Sequence, residues 1–272
     1  MNLAAFVKRA GVMLDTVIPP PTGITVLIYH RVGGGSDSLV DLDIDTFDEH
    51  LTHLAEYHRV MSIDDAVAEL VAPARSSDER VPGVVITFDD GTDDFCEHAV
   101  PALERHGLPA TLYVATEFVD TGQAFPWGAA PTTWDALRDA TRSGLITIGS
   151  HTHAHWLLDR LDPSEVEADL DMSIRLIEEH LGSTPEHFAY PKALPGSATA
   201  EIAIRRRFRS AALAASRVNP PGQRTDLHRL WRTPVQRTDD AEVFAAKAAG
   251  GLRLEGELRA LLARARYRGA RT

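Results

Sequence analysis

Two short segments of this chain place side by side the residue types that do chemistry on a bound metal. Asp89 and Asp90 end Thr87-Phe-Asp-Asp90, directly after the apolar run 84–88, and Gly91 then permits a tight turn. Adjacent carboxylates at the end of a buried strand are not both cheaply ionised unless a cation lies close. A metal ion meets that need: one aspartate ligates it and the other serves as a base beside metal-bound water. A loop aspartate capping the next helix explains the same pair. The second segment, His151-Thr-His-Ala-His155, puts three of the chain's 12 histidines within five residues, just after the apolar stretch 145–148. Positions 151 and 155 are four apart, so on one helical turn both imidazoles face the same way, a spacing that suits two ligands of a zinc-type ion. His153 points elsewhere on such a turn and reads as solvent-facing or supporting. Asp90, His151 and His155 together give three protein ligands and open positions, the arrangement of a catalytic metal site. Zinc suits this set, as do iron, cobalt, nickel and manganese. His30 closes Ile28-Tyr-His30 and is either a proton donor near neutral pH or a strand-end histidine bonded to backbone.

These residues need elements to hold them. Apolar runs at 25–29, 84–88, 110–114, 145–148, 188–190 and 210–213 predict strands. Between them the apolar spacing predicts helices over 46–58 with Thr46 as N-cap, 62–71 opened by Ser62, 95–106 ending at Gly107, 133–143, 163–181 ending at Gly182, and 198–207. Strands alternating with helices of this length imply parallel βαβ units and an α/β sheet or barrel. In such folds the site lies at the carboxyl ends of the strands, which is where both segments fall.

Length and composition bound the reading further. At about 150 residues per domain, 272 residues sit between two modest domains and one barrel. Convergence of strands from Ile28 to Arg232 on one metal favours a single domain over 1–272, with a core of 25–251 and added helices at 1–18 and 254–267. A content of 44% hydrophobic and 25% charged residues excludes a disordered or collagen-like chain. The net charge of −11 argues against a nucleic-acid partner. Cys96 is the only cysteine, so no internal disulfide and no thiolate zinc cluster form. Segment 1–18 lacks an apolar core and cleavage site of the secretory kind, and no stretch is long enough for a transmembrane segment, so the expected location is cytoplasmic. The amphipathic 1–18 helix is expected to dock on the body, with a peripheral membrane contact as the alternative.

The motifs together resemble those of the polysaccharide deacetylases, the NodB-homology group also called carbohydrate esterase family four, over about 25–251. The resemblance implies a deformed (β/α) barrel with added terminal helices. It implies Asp89 as catalytic base and Asp90, His151 and His155 as metal ligands. Phe188-Ala-Tyr-Pro191 keeps the aromatic–proline part of the third family motif, but Ala189 stands where typical members carry arginine and Lys192 replaces an aromatic residue. Alanine there is similar to the branch acting on exopolysaccharide amines, in which the Tyr190 backbone N–H would help form an oxyanion hole. No Leu-x-His motif occurs near the C-terminus. The same branch carries its general-acid histidine on the N-terminal strand, which implies His30, with His228 of Leu227-His-Arg229 as competitor. Arg232, in Leu230-Trp-Arg-Thr-Pro-Val235, would supply the missing positive charge near Asp89. The implied activity is metal-dependent removal of acetyl from an N-acetylated carbohydrate. Two alternatives stand beside it. One is a carbohydrate-binding relic that keeps its metal; the other is a 2-His-1-carboxylate Fe(II) oxygenase, against whose usual jelly roll the βα alternation argues. Loops 78–80 and 123–127 are long enough to shape a groove, and Trp127 and Trp134 either stack on a sugar ring or fill core.

Overall fold

Three runs of apolar residues, β1 (Ile24–Tyr29), β5 (Gly83–Phe88) and β6 (Ala110–Val114), are buried along their whole length, as strands covered on both faces must be. They lie together in a computed structural model that describes residues 3–72, 81–222, 224–253 and 255–256. β7 (Ile146–Ser150), β8 (His187–Ala189), β9 (Ser210–Ala212) and β10 (Arg232–Pro234) complete a parallel sheet of order β10-β1-β5-β6-β7-β8-β9. A parallel bridge between Ala212 and Leu230, with Ala215 N–H donating to Arg232 O at 2.9 Å, brings the last strand back towards the first. The sheet is a nearly closed, deformed (β/α) barrel, as the resemblance implies. β4 (Arg59–Val60) adds at β5, and β2 (Arg31–Val32) pairs β3 (Asp41–Leu42) outside the barrel.

The helices cover the barrel through apolar stripes. α2 (Ile44–Tyr57) packs Phe47, Leu51 and Leu54 against Leu27, Tyr29 and Phe88. Its N-cap is Asp43, whose side chain accepts the Thr46 amide at 2.9 Å; Thr46, expected as the cap, is itself inside the helix. α3 (Ile63–Val71), capped by Ser62 as expected, buries Ile63, Ala66, Val67 and Leu70 with Ile24, Val26 and Val85. The helix expected over 95–106 divides into a π-helical stretch, Phe95–Ala99, and α4 (Val100–His106). Pro101 lacks the N–H that an α-helical ladder needs at this point, and Val100 N–H turns to Phe95 O instead. α5 (Thr116–Thr121) falls where no element was expected. α6 (Trp134–Thr141), α7 (Pro163–Leu181) and α8 (Ala198–Arg207) occupy expected positions, and α9 (Ala241–Ala248) was not foreseen.

α1 (Leu3–Val17) docks against α9, but through its polar side. Lys8 is buried and donates to Gln236, Thr238 and Asp239, and Asp15 accepts the Leu252 amide at 2.7 Å. Lys247 binds the other oxygen of Asp239 at 2.8 Å, so two of the chain's three lysines share one buried aspartate. Of the helix expected at 254–267 only residues 255–256 are described, and they are helical; the loop at 78–80 lies outside the described residues.

Candidate active site

The carboxyl ends of β5 and β7 supply the reactive groups, and each leaves its strand by an unusual backbone turn. Asp90 has φ +77° and Gly91 φ +96°, two consecutive left-handed residues that peel the chain off β5. The turn is pinned by Ala115 N–H on Asp90 O at 3.0 Å and Thr132 N–H on Gly91 O at 2.9 Å. A non-glycine residue at positive φ costs on the order of 1 kcal/mol or more, and it persists where the surroundings impose it.

His151 to His155 do not form the helical turn that their spacing implied. His151 ends the β7 direction, and Thr152 (φ +70°) and His155 (φ +56°) bend the chain back as a loop. The two imidazoles still converge, with Nε2 of His151 3.6 Å and Nε2 of His155 3.3 Å from Asp90 Oδ1. What holds this loop is Asp169 on α7, whose two oxygens accept the amides of His153 and Ala154 at 2.9 Å each. Ser150 Oγ meets Ser173 Oγ at 2.7 Å, and the His155 amide donates to Thr152 Oγ1 at 2.9 Å. Sequence reasoning missed Asp169. The signal was present, because this acidic residue falls within the buried stripe of Val166, Leu170 and Ser173 on α7. His153 turns away from Asp90 to Thr116 Oγ1 at 3.0 Å.

Asp89 is buried and gripped by Arg232, Nη1 to Oδ1 at 2.6 Å and Nη2 to Oδ2 at 2.8 Å. This two-point fork fixes both carboxylate oxygens. Arg232 is itself fully buried, with further bonds to Leu213 O and Thr87 Oγ1 and its guanidinium over the Tyr113 ring. Burial alone would raise the Asp89 pKa; the charges of Arg232 and His151 outweigh it and hold the group below its ordinary value. Asp90 behaves likewise: burial pushes up, while the hydrogen bond and charge of His155 hold it well below the carboxylate range. Burial pulls His151 down to about 4, so its ring is neutral at pH 7. Its Nδ1 lies 2.8 Å from Ala189 O, which assigns the proton to that nitrogen and leaves the Nε2 lone pair facing Asp90.

The donors of Asp90, His151 and His155 all lie within 4.8 Å of one another. An ionised carboxylate and a neutral imidazole with its lone pair directed inward are the forms that ligate a divalent ion, and the backbone bond of His151 is the outer support such a ligand needs. The donor set therefore fits a metal. A second group, Asp64, Glu186 and His187, surrounds the start of β8 at the other end of the barrel; there Arg209 pairs both acids and His187 bonds Ser210.

His30 follows β1 on the same rim as Asp89 and Asp90, acts electrostatically on both, and keeps a buried Nδ1 without a hydrogen-bond partner. His228 is not brought there. Its Nε2 lies 2.7 Å from Phe208 O, ahead of β9 and so at the opposite end of the barrel. The Tyr190 amide, expected to face an oxyanion, donates to Ala212 O at 3.1 Å as part of the sheet, and its phenol reaches His228 O from a buried position. Trp134 is core-facing, stacked on His180. Trp127 is 42% exposed, lies edge-on to His155 at 5.9 Å and carries the Lys192 ammonium 4.9 Å above its ring.

A family model described as polysaccharide deacetylase matches residues 76–210, the segment that contains β5 to β8. YxkH of Bacillus subtilis (strain 168), named for the same family, is 24% identical over 172 residues, 63% of this chain and 57% of that protein, so the match spans little more than half of the relative's length. Among solved structures, IcaB from Ammonifex degensii superposes with a TM-score of 0.72 at 25% identity, covering 85% of this chain and 98% of that one. The Streptococcus pyogenes deacetylase PplD, solved with acetate, gives 0.70 at 21% identity, covering 84% and 99%. By its motifs, its barrel and these matches, the chain is similar to the polysaccharide deacetylases, whose family model its residues 76–210 match.

Proposed function

We propose that this chain, read as one domain over 1–272, is a metal-dependent de-N-acetylase that hydrolyses the acetamido group of an N-acetylated saccharide to a free amine and acetate. The observation that carries this reading is the pair of carboxylates with separate fates: Asp90 faces two imidazoles, and the adjacent Asp89 is locked by Arg232. The match of residues 76–210 to the polysaccharide deacetylase model supports it, and the parallel barrel is not the jelly roll of the oxygenase alternative.

Asp90, His151 and His155 would hold a divalent ion, for which zinc, iron, cobalt, nickel and manganese all suit the donors. When bound, such an ion polarises a carbonyl and makes water more acidic. Asp89, kept ionised and oriented by Arg232, takes the proton of the attacking water. His30 delivers a proton to the departing sugar nitrogen, so that the C–N bond breaks to amine and acetate without a charged leaving group. Arg232 is a positioning residue here, because it reaches only Asp89 and the barrel interior. Trp127 offers the sugar ring a flat apolar face beside His155.

Asp89→Asn tests the reading. Acetate release from an N-acetylhexosamine oligosaccharide should fall by about 10²–10⁴-fold while elemental analysis finds the wild-type metal content. Full activity in that variant would overturn the assignment, and a wild-type chain that binds the saccharide but releases no acetate would favour the relic.

A further inference from the structure

One cation of this acidic chain is held where a saccharide would enter. Of the three lysines, Lys8 and Lys247 are buried on Asp239, and Lys192 stands half-buried on the rim that carries the site. It follows Pro191, directly beyond the carboxyl end of β8, and Trp127 comes from the segment after β6. These two strands flank β7, which delivers His151. The backbone imposes the placement: Lys192 has φ +53° and Ala193 φ +54°, consecutive left-handed residues without a glycine. Ala193 N–H donates to Tyr190 O at 2.9 Å and Leu194 N–H to Pro191 O at 3.2 Å, which locks the turn. Residues with side chains rarely adopt this conformation, and it persists where the surroundings over-determine it, above all at functional sites.

The aromatic side of the contact is ordered as well. Phe118 stacks on Phe125 with ring centroids 4.3 Å apart, and Phe125 stacks on Trp127 at 4.9 Å, so one face of the indole is taken. The Lys192 ammonium lies over the ring, 4.9 Å from its centroid, and the indole meets His155 edge-on at 5.9 Å. A sugar that stacks on Trp127 beside His155 therefore displaces the ammonium. Taking a cation off an exposed indole face costs about two- to fivefold in affinity. A neutral saccharide returns nothing for that loss. An anionic group on the saccharide gives the ammonium a charge-assisted hydrogen bond in exchange, and that bond is the stronger of the two.

We propose that Lys192, poised on Trp127, selects an N-acetylated saccharide that carries an anionic group, a carboxylate or a phosphate, next to the sugar whose acetamido group reacts. The inference deepens the deacetylase reading and rests on it for the reaction, whereas the recognition itself is read by binding, without turnover.

The test sets charged probes against neutral ones. An oligosaccharide in which N-acetylglucosamine alternates with glucuronate is compared with a neutral N-acetylglucosamine oligosaccharide of the same length, and N-acetylglucosamine 1-phosphate with N-acetylglucosamine. Affinity is measured by isothermal titration of the full, metal-stripped chain, and kcat/KM by acetate release from the metal-loaded one. A charged probe should bind about tenfold more tightly than its neutral counterpart, with an advantage that fades as salt rises, and the pair that shows it identifies the anion as carboxylate or phosphate. Lys192→Gln should erase the advantage, lowering affinity for the charged probe by about tenfold and raising that for the neutral one by about two- to fivefold; Lys192→Arg should keep it. Equal affinity for the charged and neutral members of both pairs would overturn the proposal, as would an advantage that survives Lys192→Gln. Tighter binding of the charged probe with no acetate release from any probe would uphold the recognition and overturn the deacetylase reading, and acetate release without any charge preference would do the reverse.

Discussion

Asp89 and Asp90 are neighbours with different surroundings, and the difference comes from residues far away in the chain. Arg232 arrives from β10, 143 residues on, and it is the partner that makes a buried Asp89 carboxylate tolerable. Removing one member of such a pair strands the other, at a cost of about 3–5 kcal/mol. Arg232→Gln should lose that much in denaturant unfolding at pH 7. Arg232→Lys keeps a charge but not the two-point fork, and should lower kcat by about tenfold at unchanged metal content. At the rim, Trp127→Ala should raise KM for a saccharide by about three- to tenfold and leave kcat and metal content alone, the split expected of a stacking surface. The sequence made Asp89, Asp90, His151 and His155 legible, because residue type and position after a strand carry that information. It did not reveal that the Tyr190 amide is consumed by Ala212, since pairing on a neighbouring strand depends on a contact 22 residues away.

Elements were legible where local rules decide them. α7 and α8 have the expected limits because Pro163, Gly182 and Ser197 punctuate them. β2, β3 and β4 are two residues each and leave no periodic trace. The facing of α1 was not legible for a different reason: periodicity locates an apolar stripe, but Lys8 docks on residues 228 to 231 positions away. Packing between elements gives two predictions. A Cβ at Gly149 of β7 would sit 2.6 Å from the Tyr113 ring and 2.7 Å from His187 O. Because one neighbour is backbone, Gly149→Ala should destabilise by about 1–3 kcal/mol in thermal unfolding. His50 of α2 lies stacked on Phe244 of α9, and burial holds its pKa at about 4 against an ordinary 6.5. Between those values the unfolded chain binds a proton that the folded one refuses, so stability falls as pH drops from about 6.5 towards 4. His50→Phe should flatten that fall by on the order of 2 kcal/mol, read as the difference in unfolding free energy between pH 7 and pH 4.5.

At the scale of the molecule, the barrel is what turns scattered motifs into a site. β1, β5, β7 and β10 point the same way, so His30, Asp89–Asp90 and His151 leave their strands on one rim, and Arg232 reaches that rim from within the barrel. The parallel βα order was readable from alternation, whereas closure was not. It rests on one bridge at Leu230 in a segment without strand periodicity. The central claim is that Asp90, His151 and His155 hold a metal on which deacetylation depends. It is tested most directly by following acetate release from an N-acetylhexosamine oligosaccharide after chelation and again after a divalent metal is returned. Loss on stripping, recovery on reconstitution and no recovery in His155→Ala are the expected results. Acetate release that continues undiminished in the stripped, metal-free chain would contradict it.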